Sequence, residues 1–143
     1  GKMDNRVIAA YQQLGFKIVV DPSVNYSGYF DARSRSITMK QIDDSVYHEL
    51  GHFLAFIAGN ADKTASFQSI FAAEKANVTA FNKAYVTQNA SEYFAESVKD
   101  YILNNASLKS SRPQTYAAVQ NALNQITDAQ IAKIQKIYGA FWN

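Results

Sequence analysis

The sequence predicts an α+β fold: a small antiparallel sheet packed on one amphipathic helix, followed by a mostly helical C-terminal half. Three observations point there. Short strand-like runs bounded by turn residues gather before Lys40, whereas past Gly59 the apolar residues recur at helical spacing. The 48% apolar and 13% aromatic content suits a globular core. A length of 143 residues suits one domain over 1–143, with a sheet-containing half at about 1–59 and a helical half at about 60–143.

Taken in order, Val7, Ile8, Tyr11 and Leu14 fall at helical spacing between Asp4 and Leu14, and Gly15 is a stop signal. The run from Phe16 to Val20 reads as a strand that Asp21-Pro22-Ser23 breaks. Gly28 to Ala32 and Ser36 to Lys40 flank Arg33-Ser34-Arg35 as a hairpin. Asp43 or Asp44 is positioned to cap a helix that ends at Gly59, with Val46, Leu50, Phe53, Leu54 and Ile57 as its core-facing stripe. Thr64 to Asn77 reads as one helix burying Phe67, Ile70 and Phe71. Asn82 to Ala90 reads as a polar loop, after which Ser91 caps a helix from Glu92 to Asn105. Pro113 opens a helix through Ile126, and Thr127-Asp128-Ala129-Gln130 is a capping box for a last helix ending near Gly139. Trp142 reads as a packing residue.

The net charge of +2 is small and the basic residues are scattered, which argues against nucleic acid as the main partner. No apolar run approaches the roughly 20 residues of a membrane span. Without cysteine there is no disulfide and no thiolate metal site. No signal peptide is visible, and the Gly1-Lys2-Met3 start leaves room for a preceding signal or another domain.

His48-Glu49-Leu50-Gly51-His52 is an H-E-x-x-H motif, and its histidines are the only two in the chain. On a helix, positions i and i+4 share a face, so two imidazoles can hold one zinc ion with the glutamate beside the open coordination position. A catalytic zinc needs a third protein ligand. Ala55 and Ala58 stand where the extended motif places a glycine and a third histidine, so the third ligand is expected to be a carboxylate. Glu74, Glu92 and Glu96 are the choices, ahead of Asp62 and Asp100. Glu74 reads as part of a solvated face. Glu92 and Glu96 lie at i, i+4 amid Phe94, Val98, Tyr101 and Ile102, and acidic groups bordering a buried stripe need a partner. A helix start that simply favours acidic residues explains Glu92 alone better than it explains Glu96.

The motif at 48–52, then Tyr85, then Ser91-Glu92-Tyr93-Phe94-Ala95-Glu96 resembles the anthrax lethal factor-like zinc peptidases, which include the secreted clostridial Pro-Pro endopeptidases. In that family a tyrosine stands seven residues before an E-[FY]-F-A-[EQ] block, as Tyr85 does here. The resemblance runs from about Phe16 to about Leu103, and the last forty residues match only as generic helices. It implies a zincin-like fold of the gluzincin type, with one catalytic Zn2+ held by His48, His52 and Glu92. It further implies Glu49 as general base, Tyr85 as oxyanion stabiliser and Glu96 as a supporting acceptor for His48 or His52. The implied function is zinc-dependent endopeptidase action on a peptide or protein substrate, by a secreted bacterial protein that works as a monomer. A strand edge near Ile37 to Lys40 is the expected docking line for an extended peptide. Tyr26, Tyr29 and Phe30 read as core aromatics rather than cleft walls. Two other readings remain. Intracellular ImmA-type regulatory peptidases share the pentapeptide, and a lethal factor-like fold can serve as an inactive binding module.

Overall fold

Asp4 accepts a hydrogen bond from the Arg6 amide and caps α1 (Asn5–Gln13), which Gly15 ends at φ +78°. In this computed structural model, which describes residues 2–142, three short strands follow: β1 (Lys17–Val20), β2 (Gly28–Asp31) and β3 (Ser36–Met39). β2 and β3 form the expected hairpin, pairing Gly28 with Met39 and Asp31 with Ser36. The sheet is mixed rather than antiparallel. Its order is β1-β3-β2, and β1 runs parallel to β3, from Lys17 opposite Ser36 to Val20 opposite Met39. The reason lies in the connection. The segment 21–27 carries the chain past the end of β3, so β1 meets the far edge of the hairpin, where the strand direction matches its own.

The chain then becomes helical: α2 (Ser45–Ile57), α3 (Ala65–Glu74), α4 (Lys83–Val86), α5 (Ala90–Leu103), α6 (Asn105–Ser111), α7 (Pro113–Asn124) and α8 (Asp128–Trp142). Among the described residues, no helix is long and apolar enough to cross a membrane. The architecture is α+β and mostly helical, with a small three-stranded sheet. Ile37 and Met39 are the fully buried residues of the sheet, whereas all four residues of β1 are exposed. An aromatic cluster joins the two halves: Phe16 and Phe53 sit 4.9 Å apart between ring centroids, and Trp142 packs edge-on against Phe16 at 5.6 Å. Trp142 Nε1 donates to Ala32 O, which pins the end of α8 to the hairpin.

Several local expectations need correction. The helix from Thr64 stops at Glu74 and tightens into a 3₁₀ turn over Lys75–Asn77; Ile70 and Phe71 are only half-buried. Glu74 is buried, not solvated. Its carboxylate accepts from Gln114 N, Thr115 N and Thr115 Oγ1, so it caps α7 from another helix, where Pro113 has no N–H of its own to satisfy. The polar stretch after Asn82 contains the one-turn α4. Asn89, not Ser91, caps α5, by accepting from Glu92 N. Ser91 Oγ instead donates to Asp62, tying α5 to the turn after α2. α6 lies in a stretch assigned to no element. The capping box before α8 is half made: Thr127 Oγ1 accepts from Gln130 N, but the Gln130 amide donates to Ile57 O, and α8 runs on through Gly139.

Candidate metal centre

α2 and α5 bring the candidate ligands together because their backbones nearly touch. A Cβ at Gly51 would lie 2.7 Å from Ala95 O and 2.8 Å from Ala95 Cα. Glycine in a helix interior costs about 1 kcal/mol relative to alanine, and this close crossing explains why it stands here. Glu92 and Glu96 flank Ala95 on α5, and His48 and His52 flank Gly51 on α2. The two pairs therefore face each other.

The geometry follows from that crossing. Glu92 Oε1 lies 3.0 Å from His48 Nε2 and 3.2 Å from His52 Nε2. Glu96 Oε1 lies 2.9 Å from His48 Nδ1. Of the sequence candidates, His48, His52 and Glu92 form a group whose ligand atoms all lie within 4.8 Å of one another. Asp62 is committed to Ser91, Asp100 pairs with Arg112 at 2.7 Å, and Glu74 caps α7.

Electrostatics make the same point. A neutral imidazole has one donor and one acceptor nitrogen, yet both nitrogens of His48 face carboxylate oxygens, which only accept. The arrangement needs positive charge. In the metal-free protein a proton supplies it: burial opposes the charge on His48, but Glu92 and Glu96 outweigh it and raise the group to about 9. Burial likewise works against Glu92, yet hydrogen bonds from the two histidines hold it far below the usual carboxylate range. Burial also opposes ionisation of Glu96, and His48 overcomes it and lowers the group. A divalent cation satisfies the same demand. Metal bonds of 2.0–2.2 Å at tetrahedral angles put ligand atoms about 3.3–3.6 Å apart, a few tenths of an ångström beyond the spacings of 3.0 and 3.2 Å seen here, and two nitrogens with one oxygen are a zinc-type donor set. The residues fit zinc.

Glu49 is buried beside them, and burial raises its carboxyl against the pull of both histidines. The β2 backbone passes close by: a Cβ at Gly28 would lie 2.9 Å from Glu49 Cγ. Tyr85, on α4, is 55% exposed, and its hydroxyl donates to Glu92 Oε1 over 3.3 Å. Burial, with the charge of Glu92, raises its pKa. Glu49, Tyr85 and His48 all line one cleft of about 440 Å³. A larger cavity of about 600 Å³ lies elsewhere, against Phe67 and Ile70, and Lys133 is the one charged side chain lining it among the described residues.

Two expectations about the cleft change. Ile37 to Met39 form the central strand, paired on both sides, so no docking edge exists there. The strand bordering the site is β2, whose Gly28, Tyr29 and Phe30 line it together with His52, Tyr85 and Glu92. Tyr26 and Tyr29 are 39% and 56% exposed and wall the cleft, while Phe30 packs on Phe53. Phe81 and Lys99 also line it, and the sequence reading assigned neither a role.

Comparison with known proteins adds independent information. The family described as "Anthrax toxin lethal factor, N- and C-terminal domain" matches residues 6–122. A Pro-Pro endopeptidase of Clostridioides difficile (strain 630) is 41% identical over 78 residues, which make up 52% of this chain and 34% of that protein. The matched region thus spans about a third of the length of that curated relative.

Proposed function

Because the chain belongs to the anthrax toxin lethal factor family, we propose that it is a zinc-dependent endopeptidase of the gluzincin type, built as a single zincin-like domain. The reading makes His48, His52 and Glu92 the ligands of one catalytic zinc ion, Glu49 the general base, Tyr85 the oxyanion stabiliser and Glu96 the residue that orients His48. It also makes the protein a secreted bacterial enzyme that acts as a monomer on peptide or protein substrates. The observation that carries it is the meeting of two imidazole Nε2 atoms at one carboxylate oxygen, with Glu49 and Tyr85 in the same cleft. The family relative, named as a Pro-Pro endopeptidase, supports the reaction class.

The chemistry divides among the residues as follows. When bound, zinc supplies Lewis acidity towards the substrate carbonyl and lowers the pKa of a water molecule to about 7. Glu49 takes the proton of the attacking water and passes it to the leaving amine. Its burial suits this exchange, since it raises the carboxyl towards the working pH. Tyr85 carries a hydroxyl on an exposed one-turn helix, free to exchange Glu92 for the developing oxyanion. Such a donor is worth on the order of 2.7–4 kcal/mol. Glu96 accepts the His48 Nδ1 proton, which leaves Nε2 as the ligand nitrogen. β2 is paired with β3 along one edge only, and its backbone beside Glu49 offers an extended peptide its hydrogen bonds.

A digest of a peptide library, read by mass spectrometry, tests the reading. Cleavage is expected with zinc, lost with a chelator and restored when zinc is returned. Cleavage that survives chelation, or that survives in Glu49→Ala, contradicts it.

A further inference from the structure

Phe81 has the most exposed large apolar side chain among the described residues, at 103%. Slack in its loop does not account for this. Val78 is buried, Asn77 Nδ2 donates to Ser111 O, Lys83 Nζ donates to Ala76 O and Lys83 N closes a turn on Ala80 O, so the segment is tied on both sides of the ring. A single exposed hydrophobe is ordinary on a protein surface. What distinguishes Phe81 is its position. It lines the cleft that holds His48, Glu49 and Tyr85, and it also lines an adjoining cavity of about 380 Å³ that reaches Asn104 and Arg112. A chain lying in the cleft and continuing into that cavity passes the ring. Tyr26, 39% exposed, lines the same cleft and adds to its aromatic surface.

We propose that Phe81 is a specificity-determining residue whose ring, with Tyr26, forms a subsite for an apolar side chain of the peptide substrate. This rests on the peptidase reading. An aromatic wall left in water before binding is covered when an apolar substrate side chain packs on it, and that gain is withheld from a polar one.

The test compares wild type, Phe81→Ala and Phe81→Leu in a peptide-library digest, with zinc content measured for each. Wild type is expected to enrich apolar residues at one substrate position. Phe81→Ala is expected to flatten the preference at that position alone and to lower kcat/KM for the best peptide about tenfold, mostly through KM, as loss of a hydrophobic contact does. Phe81→Leu is expected to restore most of both, with zinc content equal in all three. An unchanged profile in Phe81→Ala overturns the subsite, and so does a uniform loss that leaves the profile intact. A zinc-loaded wild type that cleaves no peptide overturns the peptidase reading instead, and the subsite with it.

Discussion

His48 meets a carboxylate oxygen at both of its nitrogens, and this single residue links the protonation of the site to its affinity for metal. Its pKa in the metal-free protein is raised to about 9, so the protonated form is the one that folding favours. Its contribution to the metal-free fold is full below the unfolded value of 6.5 and is lost as pH rises through 9. Metal needs Nε2 without its proton, so zinc competes with that proton at neutral pH. Apparent zinc affinity is expected to rise about tenfold per pH unit between neutrality and pH 9, with about one proton released per zinc bound. Titration calorimetry in buffers of different ionisation enthalpy counts that proton. Glu49 belongs to the same scale. Glu49→Gln removes the proposed base while keeping the size of the side chain, and it is expected to lower kcat by about 10²–10⁴-fold with zinc content unchanged. A steady-state assay beside metal analysis separates that outcome from loss of the ion.

Between elements, the α2–α5 crossing sets the spacing of the site. Gly51→Ala gains about 1 kcal/mol of helix propensity but drives a methyl group into the Ala95 backbone, which cannot move aside as a flexible side chain can. Overpacking costs typically 1–3 kcal/mol, so the clash outweighs the gain. The variant is expected to unfold at lower denaturant and to bind zinc more weakly, because separating the helices separates Glu92 from the histidines. Glu74 makes a similar connection between α3 and α7. Glu74→Ala leaves the Thr115 amide and hydroxyl without their buried acceptor and is expected to cost about 1–3 kcal/mol in urea unfolding, with no effect on zinc affinity. These two contacts show where sequence reading ends. The motif helix was legible because its apolar stripe and its histidines repeat at one period within thirteen residues. Glu92 and Glu96 were legible because two acids at i, i+4 stood amid apolar neighbours. Glu74 was not, since the residue that explains it, Thr115, is 41 positions away. Asn89 and Ser91 are both capping residue types, and only the Asp62 partner of Ser91 decides between them. The parallel pairing of β1 was hidden for the same reason: nothing local says which edge of a hairpin a third strand will join.

For the molecule as a whole, the cleft lies where the small sheet meets the helical body, with β2 on one side and α2, α4 and α5 on the other. On the proposed reading zinc would join α2 to α5, so its removal is expected to loosen that junction. At a free zinc concentration a thousandfold above Kd, the bound ion stabilises the fold by about 4 kcal/mol. Thermal unfolding is therefore expected to shift to lower temperature with a chelator and to recover when zinc returns. The shift is expected to grow from neutrality towards pH 9 in the wild type and to be small in Glu92→Ala. The apparent conflict between a mostly helical chain and an active cleft beside a strand disappears at this scale. On the proposed reading the helices hold the ligands, and β2 offers a peptide a backbone edge beside them. The most direct measurement is the zinc content of the purified protein and of its His48→Ala and Glu92→Ala variants after zinc loading and exhaustive dialysis. One zinc per chain in the wild type, and far less in both variants while their helical content is retained, is the predicted result. A well-folded wild type that retains no stoichiometric zinc would contradict the assignment and favour an inactive binding module on the same fold.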